Sequence, residues 1–131
     1  MITLATLASH SAQEVFDYAV TFLLTQNETS ITPEDRDGAG DCRYRTANKD
    51  GKILKCGGGC FISDEEYSYR LENNSWTGLV NSERVPAAHS NLIRNFQAIH
   101  DGFPVREWKE GFMELAEREG LSSTAVEEFV D

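Results

Sequence analysis

Three consecutive glycines, Gly57-Gly58-Gly59, lie between two cysteines and just after a hairpin signal, and no other feature constrains the chain as much. Glycine loses the most conformational freedom on folding, so such a run implies that one backbone closely approaches another there, or that the chain hinges. It is not a phosphate loop, because no Gly-Lys-Ser/Thr ending follows it and acids come next. Upstream, Lys49-Asp50-Gly51 reads as a turn, since Gly accepts positive φ and Asp tolerates a tight bend. A three-residue loop over 48–50 sets Thr46 opposite Lys52, Tyr44 opposite Leu54 and Cys42 opposite Cys56. One face of a hairpin over 42–56 then carries Cys42, Tyr44, Leu54 and Cys56, and the other Arg43, Arg45, Ile53 and Lys55. A lone two-stranded hairpin is marginal, so helices must cover its apolar face.

Helical periodicity accounts for most of the remainder. Ser11 and Glu14 form a capping box, and Ala12, Val15, Phe16, Ala19, Val20, Phe22 and Leu23 recur at helical spacing, which predicts a helix over 11–26. Ser63 and Glu66 repeat the capping signature and predict a short helix over 63–68. Trp76, Leu79 and Val80 suit a further short helix or a packed turn. Pro86 fits the first turn of a helix over 86–101, with Leu92, Ile93, Phe96 and Ile99 as its buried stripe and Gly102 as its stop. A helix over 105–119 turns Val105, Trp108, Phe112, Leu115 and Ala116 inward and Glu107, Glu110, Glu114 and Glu117 outward. A last helix over 123–130 carries Val126, Phe129 and Val130, and the polar stretch 26–41 reads as a surface loop. The expected fold is α+β: a mostly helical single domain over 1–131 with one β-hairpin packed on the helices.

Charge limits the function classes. Of the 131 residues, 22 are Asp or Glu and 12 Lys or Arg, a formal net charge of −10. This argues against nonspecific binding to nucleic acid or to anionic membrane. An acidic surface that imitates DNA is the sharp reading of the surplus, and a solvated acidic face the plainer and preferred one. The N-terminus lacks the pattern of a signal peptide, and no apolar run approaches the ~20 residues of a membrane span. Three cysteines without an export signal read as reduced thiols, which sets the protein in the cytoplasm.

Several constellations bear on chemistry. Cys42, Cys56 and Cys60 with His89 or His100 form a zinc alternative, but the spacing Cys-x13-Cys-x3-Cys lacks the usual Cys-x2-Cys knuckle, and buried thiols without any cofactor are the preferred reading. Asp35, Asp37 and Asp41 invite calcium, yet Ala39 and Thr46 fall at ligand positions of the loop template. Cys60, just ahead of the helix expected at Ser63, is a candidate nucleophile with His89 or His100 as base, but no nucleophile signature surrounds it. Cys56-x3-Cys60 is one residue longer than the favoured redox spacing. Arg43, Arg45 and Lys55, with Tyr67, Tyr69 and Arg70 near them, form a basic strip suited to a phosphate or to a partner's carboxylates. An ordinary polar hairpin face, balanced by neighbouring acids, is the plainer alternative.

Cys42-Arg43-Tyr44-Arg45, Lys55-Cys56 and Gly59-Cys60-Phe61-Ile62, followed by Asp64-Glu65-Glu66-Tyr67, resemble a family of small uncharacterised proteins of tailed phages and prophages. The resemblance extends to Thr3-Leu4-Ala5-Thr6-Leu7, Ala12-Gln13-Glu14-Val15-Phe16, Leu23-Leu24-Thr25-Gln26, His89, Leu92-Ile93 and the stretch 97–101. Gly57-Gly58 and the longer acidic loop depart from the family's pattern. The resemblance implies a non-virion phage protein inside an infected bacterium, of a kind that binds and inhibits a host or defence protein without catalysis. It implies no activity and no cofactor.

Overall fold

The structure is a computed structural model that describes residues 1–31 and 43–130. The calcium reading at Asp35, Asp37 and Asp41, and Cys42, therefore lie outside the described residues.

Helix α1 (Ala12–Gln26) opens on the capping box expected at Ser11 and Glu14. It ends at Asn27, whose φ of 54° is the left-handed conformation that Asn tolerates. Strands β1 (Arg45–Ala47) and β2 (Ile53–Lys55) form the antiparallel hairpin. Three helical segments follow: α2 (Trp76–Asn81), α3 (Ser90–Gly102) and α4 (Trp108–Glu119). A single turn, α5 (Thr124–Glu127), closes the described chain. The α+β expectation holds, with the hairpin lying on the helices.

One core joins these elements, with Phe96 of α3 at its centre. The Phe96 ring meets Phe16 of α1, Phe61 and Phe112 of α4 at centroid distances of 6.1, 6.3 and 6.4 Å. Tyr44, Leu54 and Cys56 are buried as the hairpin pattern requires, while Ile53 is exposed on the other face.

The glycine run acts by close approach. A Cβ on Gly57 would stand 2.5 Å from the α3 backbone at Phe96 and Gln97. One on Gly58 would press into the Trp76 ring at 2.8 Å, and one on Gly59 into the Tyr44 carbonyl oxygen at 2.0 Å. The run thus forms the floor on which strand entry, α2 and α3 meet.

Several boundaries differ from those the sequence predicts. The register pairs Arg45 with Lys55, Thr46 with Leu54 and Ala47 with Ile53, two positions from the expected pairing. The loop is five residues long because Asn48 organises it: its Oδ1 accepts from the N–H of Asp50 and of Lys52, and its own N–H donates to Lys52 O. A shift of two preserves which face each residue occupies, so the burial pattern survives the error. The helix expected over 63–68 is a turn. Ser63 and Glu66 do form the capping box, but Glu66 also accepts from the N–H of Leu4 at 3.0 Å and of Ala5 at 2.9 Å. The cap signature therefore anchors the N-terminal segment and starts no helix. The helix expected from Pro86 begins at Ser90, after His89 takes a left-handed φ of 59°. The last helix stops at Glu127, leaving Val130 86 % exposed. The expected surface loop at 26–41 begins inside the protein, since Gln26 and Ser30 are buried.

Those two residues seat the hairpin. Gln26 donates through Nε2 to Lys55 O and accepts through Oε1 from Lys55 N–H, both at 2.8 Å, so its amide acts as a strand's peptide group would. Ser30 donates through Oγ to Arg43 O at 2.8 Å and Leu54 O at 3.2 Å, and through its N–H to His100 Nε2 at 3.0 Å. Such bonds satisfy backbone groups that a two-stranded ribbon leaves open.

Candidate functional site

Two of the three thiols can be placed. Cys56 and Cys60 are free and buried. Cys56 Sγ accepts from Gly59 N–H at 3.4 Å, and the Cys60 thiol faces Gly57 O at 3.5 Å. Burial pushes both thiols well above the ordinary range, and at Cys60 the nearby Lys55 charge only partly opposes it. Cys60 lies in a 3₁₀ turn (Gly59–Phe61), without the helix N-terminus expected beside it. A nucleophile needs the opposite environment.

The histidines serve different neighbours. The His89 ring bonds His10 O through Nε2 at 2.8 Å, tying the N-terminal segment to the start of α3. His100, at the far end of α3, accepts from Ser30 N–H through Nε2, so Nδ1 carries the ring hydrogen and donates to Asp101 Oδ1 at 2.7 Å. They do not form the shared face that their spacing suggests, because His89 precedes the helix. Among the described residues, no three His, Cys, Asp or Glu side chains gather where they could hold a metal ion.

The basic strip is assembled, but around acids. Arg45 Nε stands 3.4 Å from Asp64 Oδ1, an ion-pair distance without hydrogen-bond geometry, and its guanidinium lies over the Tyr67 ring at 5.7 Å. Lys55 Nζ donates to Ile62 O at 2.9 Å and approaches Asp64 Oδ1 at 3.9 Å. The Tyr67 phenol is pushed up by burial and by its bond to Glu72, with the Arg45 and Arg43 charges opposing. Arg43, Arg45, Lys55 and Tyr67 therefore share one region with Asp64 and Glu72. Tyr69 and Arg70 sit exposed on the next 3₁₀ turn (Tyr69–Leu71). Asp64 thus stands against both Arg45 and Lys55, while Tyr69 and Arg70 lie one turn further along the chain.

A concave site lies elsewhere. A cleft of about 400 Å³ opens between α3 and the segment that leads into α2, lined by residues including Tyr44, Trp76, Arg94, Gln97 and Asp101. Burial pushes the Tyr44 phenol up, and its hydroxyl donates to Asn74 O at 2.6 Å, which fixes the ring as a wall. Arg94, Gln97 and Asp101 fall at i, i+3 and i+7 of α3, one polar row beside the buried stripe. That spacing was readable in the sequence. The opposite wall, built from the stretch before α2, was not, because only the tertiary fold brings it there.

Compared with family models, with curated proteins and with solved structures, the chain matches none.

Proposed function

We propose that the protein acts by binding, without covalent chemistry, and that its partner is a host or defence protein which it inhibits inside a bacterial cytoplasm. The observation that carries the binding reading is the outer face of α4. Glu110, Glu114 and Glu117 are all exposed at spacings of four and three, and so form one acidic row along the helix, with Glu107 exposed just ahead of its first residue. Met113, 37 % exposed, adds apolar surface on the same helix. A row of one charge sign steers a basic partner, and the net charge of −10 extends that field. No described helix is long and apolar enough to cross a membrane, which fits an aqueous partner. The phage-like resemblance supplies the host and defence context.

The test compares wild type with a variant in which Glu110, Glu114 and Glu117 are replaced by Lys, both used as bait in bacterial lysate. Wild type is expected to retain a discrete partner that the variant loses. Nothing above background with wild type would defeat the reading, and equal capture by the variant would remove α4 from it.

A further inference from the structure

We propose that the cleft between α3 and the start of α2 binds a free zwitterionic peptide of about three residues. Trp76 is 1 % exposed, and its indole Nε1–H is buried without a protein partner. Gln97 Oε1 is also buried without a partner. Both residues line the cleft. A buried donor and a buried acceptor are each costly to leave open, so a pair beside one cavity marks where a bound molecule completes the bonding. A peptide group supplies both complements, a carbonyl for the indole and an N–H for the amide oxygen.

The charges fix the ends. Arg94 bonds only neutral groups, Thr77 Oγ1 at 3.2 Å and Asn91 Oδ1 at 3.4 Å, and no carboxylate among the described residues pairs with it. Asp101 uses Oδ1 for His100 and is 46 % exposed, which leaves its second oxygen for a cation. Seven residues separate Arg94 from Asp101, about 10.5 Å along the helix axis. An extended peptide spans roughly 3.3–3.6 Å per residue, so three residues cover that distance. The carboxylate then meets Arg94 and the ammonium Asp101. A nucleotide fits less well, because a polyanion held by Arg94 would face the Asp101 carboxylate. The site is separate from the acidic row on α4 and stands or falls without it.

The test titrates trialanine into uniformly ¹⁵N-labelled protein and follows the two indole N–H resonances. Trp108 is the internal control, since its Nε1–H donates to Phe103 O at 3.0 Å and it does not line the cleft. The Trp76 resonance should move and saturate while that of Trp108 stays. N-acetylated, C-amidated trialanine should bind wild type about tenfold or more weakly, as should trialanine to Arg94→Gln or Asp101→Asn. The proposal fails if the Trp76 resonance is unmoved at millimolar peptide, if both indoles move alike, if the blocked peptide binds as well as the free one, or if ADP moves Trp76 where trialanine does not.

Discussion

The Tyr67 hydroxyl donates to Glu72 Oε2 at 2.6 Å, and the same carboxylate accepts the backbone N–H of Tyr44 at 3.0 Å and of Arg45 at 3.2 Å. Glu72 is only 5 % exposed. It therefore ties the entry of β1 to the turn after Tyr67, a link between residues 28 apart in the chain. Replacing Glu72 by Ala strands two amides and a hydroxyl, and should cost about 3 kcal/mol in urea unfolding. Tyr67→Phe removes one donor and should cost about 1–2 kcal/mol. Because the two act through one bond, the double variant should lose less than the sum. Full additivity would deny the coupling.

The glycine run makes a graded prediction. Gly59→Ala drives a methyl into the Tyr44 carbonyl and should cost more than about 3 kcal/mol, or prevent folding. Gly58→Ala meets a ring edge that can shift, so about 1–3 kcal/mol is expected. Gly102→Ala meets nothing within 4 Å and should lie within about 0.5 kcal/mol of wild type. Thermal melts of the three should follow that order.

Glu66 supplies a pH dependence. Partial burial alone raises its carboxyl, but bonds from the N–H of Ser63, Leu4 and Ala5 bring it below the ordinary 4.5. A carboxyl held lower in the folded state stabilises above its unfolded value, and that stability is lost as pH falls through the folded value. Glu66→Gln should therefore cost about 1 kcal/mol at neutral pH, allowing for the group's exposure. The gap should stay level down to about pH 4.5 and close below it. Chemical unfolding at several pH values checks this, and a gap that widens in acid would contradict it.

The sealed thiols give a chemical test. Cys56 and Cys60 should not react with Ellman's reagent in native protein over minutes at neutral pH, and both should react at once in denaturant. Peptide mass mapping separates them from Cys42. Rapid native labelling of Cys60 would reopen the nucleophile reading.

Face and burial were legible where period alone decides them. Tyr44, Leu54 and Cys56 turn inward, and Leu92, Ile93, Phe96 and Ile99 fill α3 as their spacing requires. The hairpin register was not legible, because the loop length depends on which backbone groups the Asn48 side chain accepts from. The Ser63–Glu66 signature is legible as a bonding pattern but starts no helix, because the extra donors come from Leu4 and Ala5, some sixty positions away. The cleft was half legible. Arg94, Gln97 and Asp101 share a row by spacing, but an unpartnered Trp76 indole is a property of the packed molecule.

The amide of Gln26 has one more consequence. Exposed rims of β-ribbons recruit strands from other molecules, and proteins that leave them bare risk stacking into fibrils. Here the peptide group of Lys55 is already taken from within the same chain, on a strand only three residues long. Self-association through that rim would first have to pull a glutamine out of the interior, so the residue that seats the ribbon also guards it against its own copies.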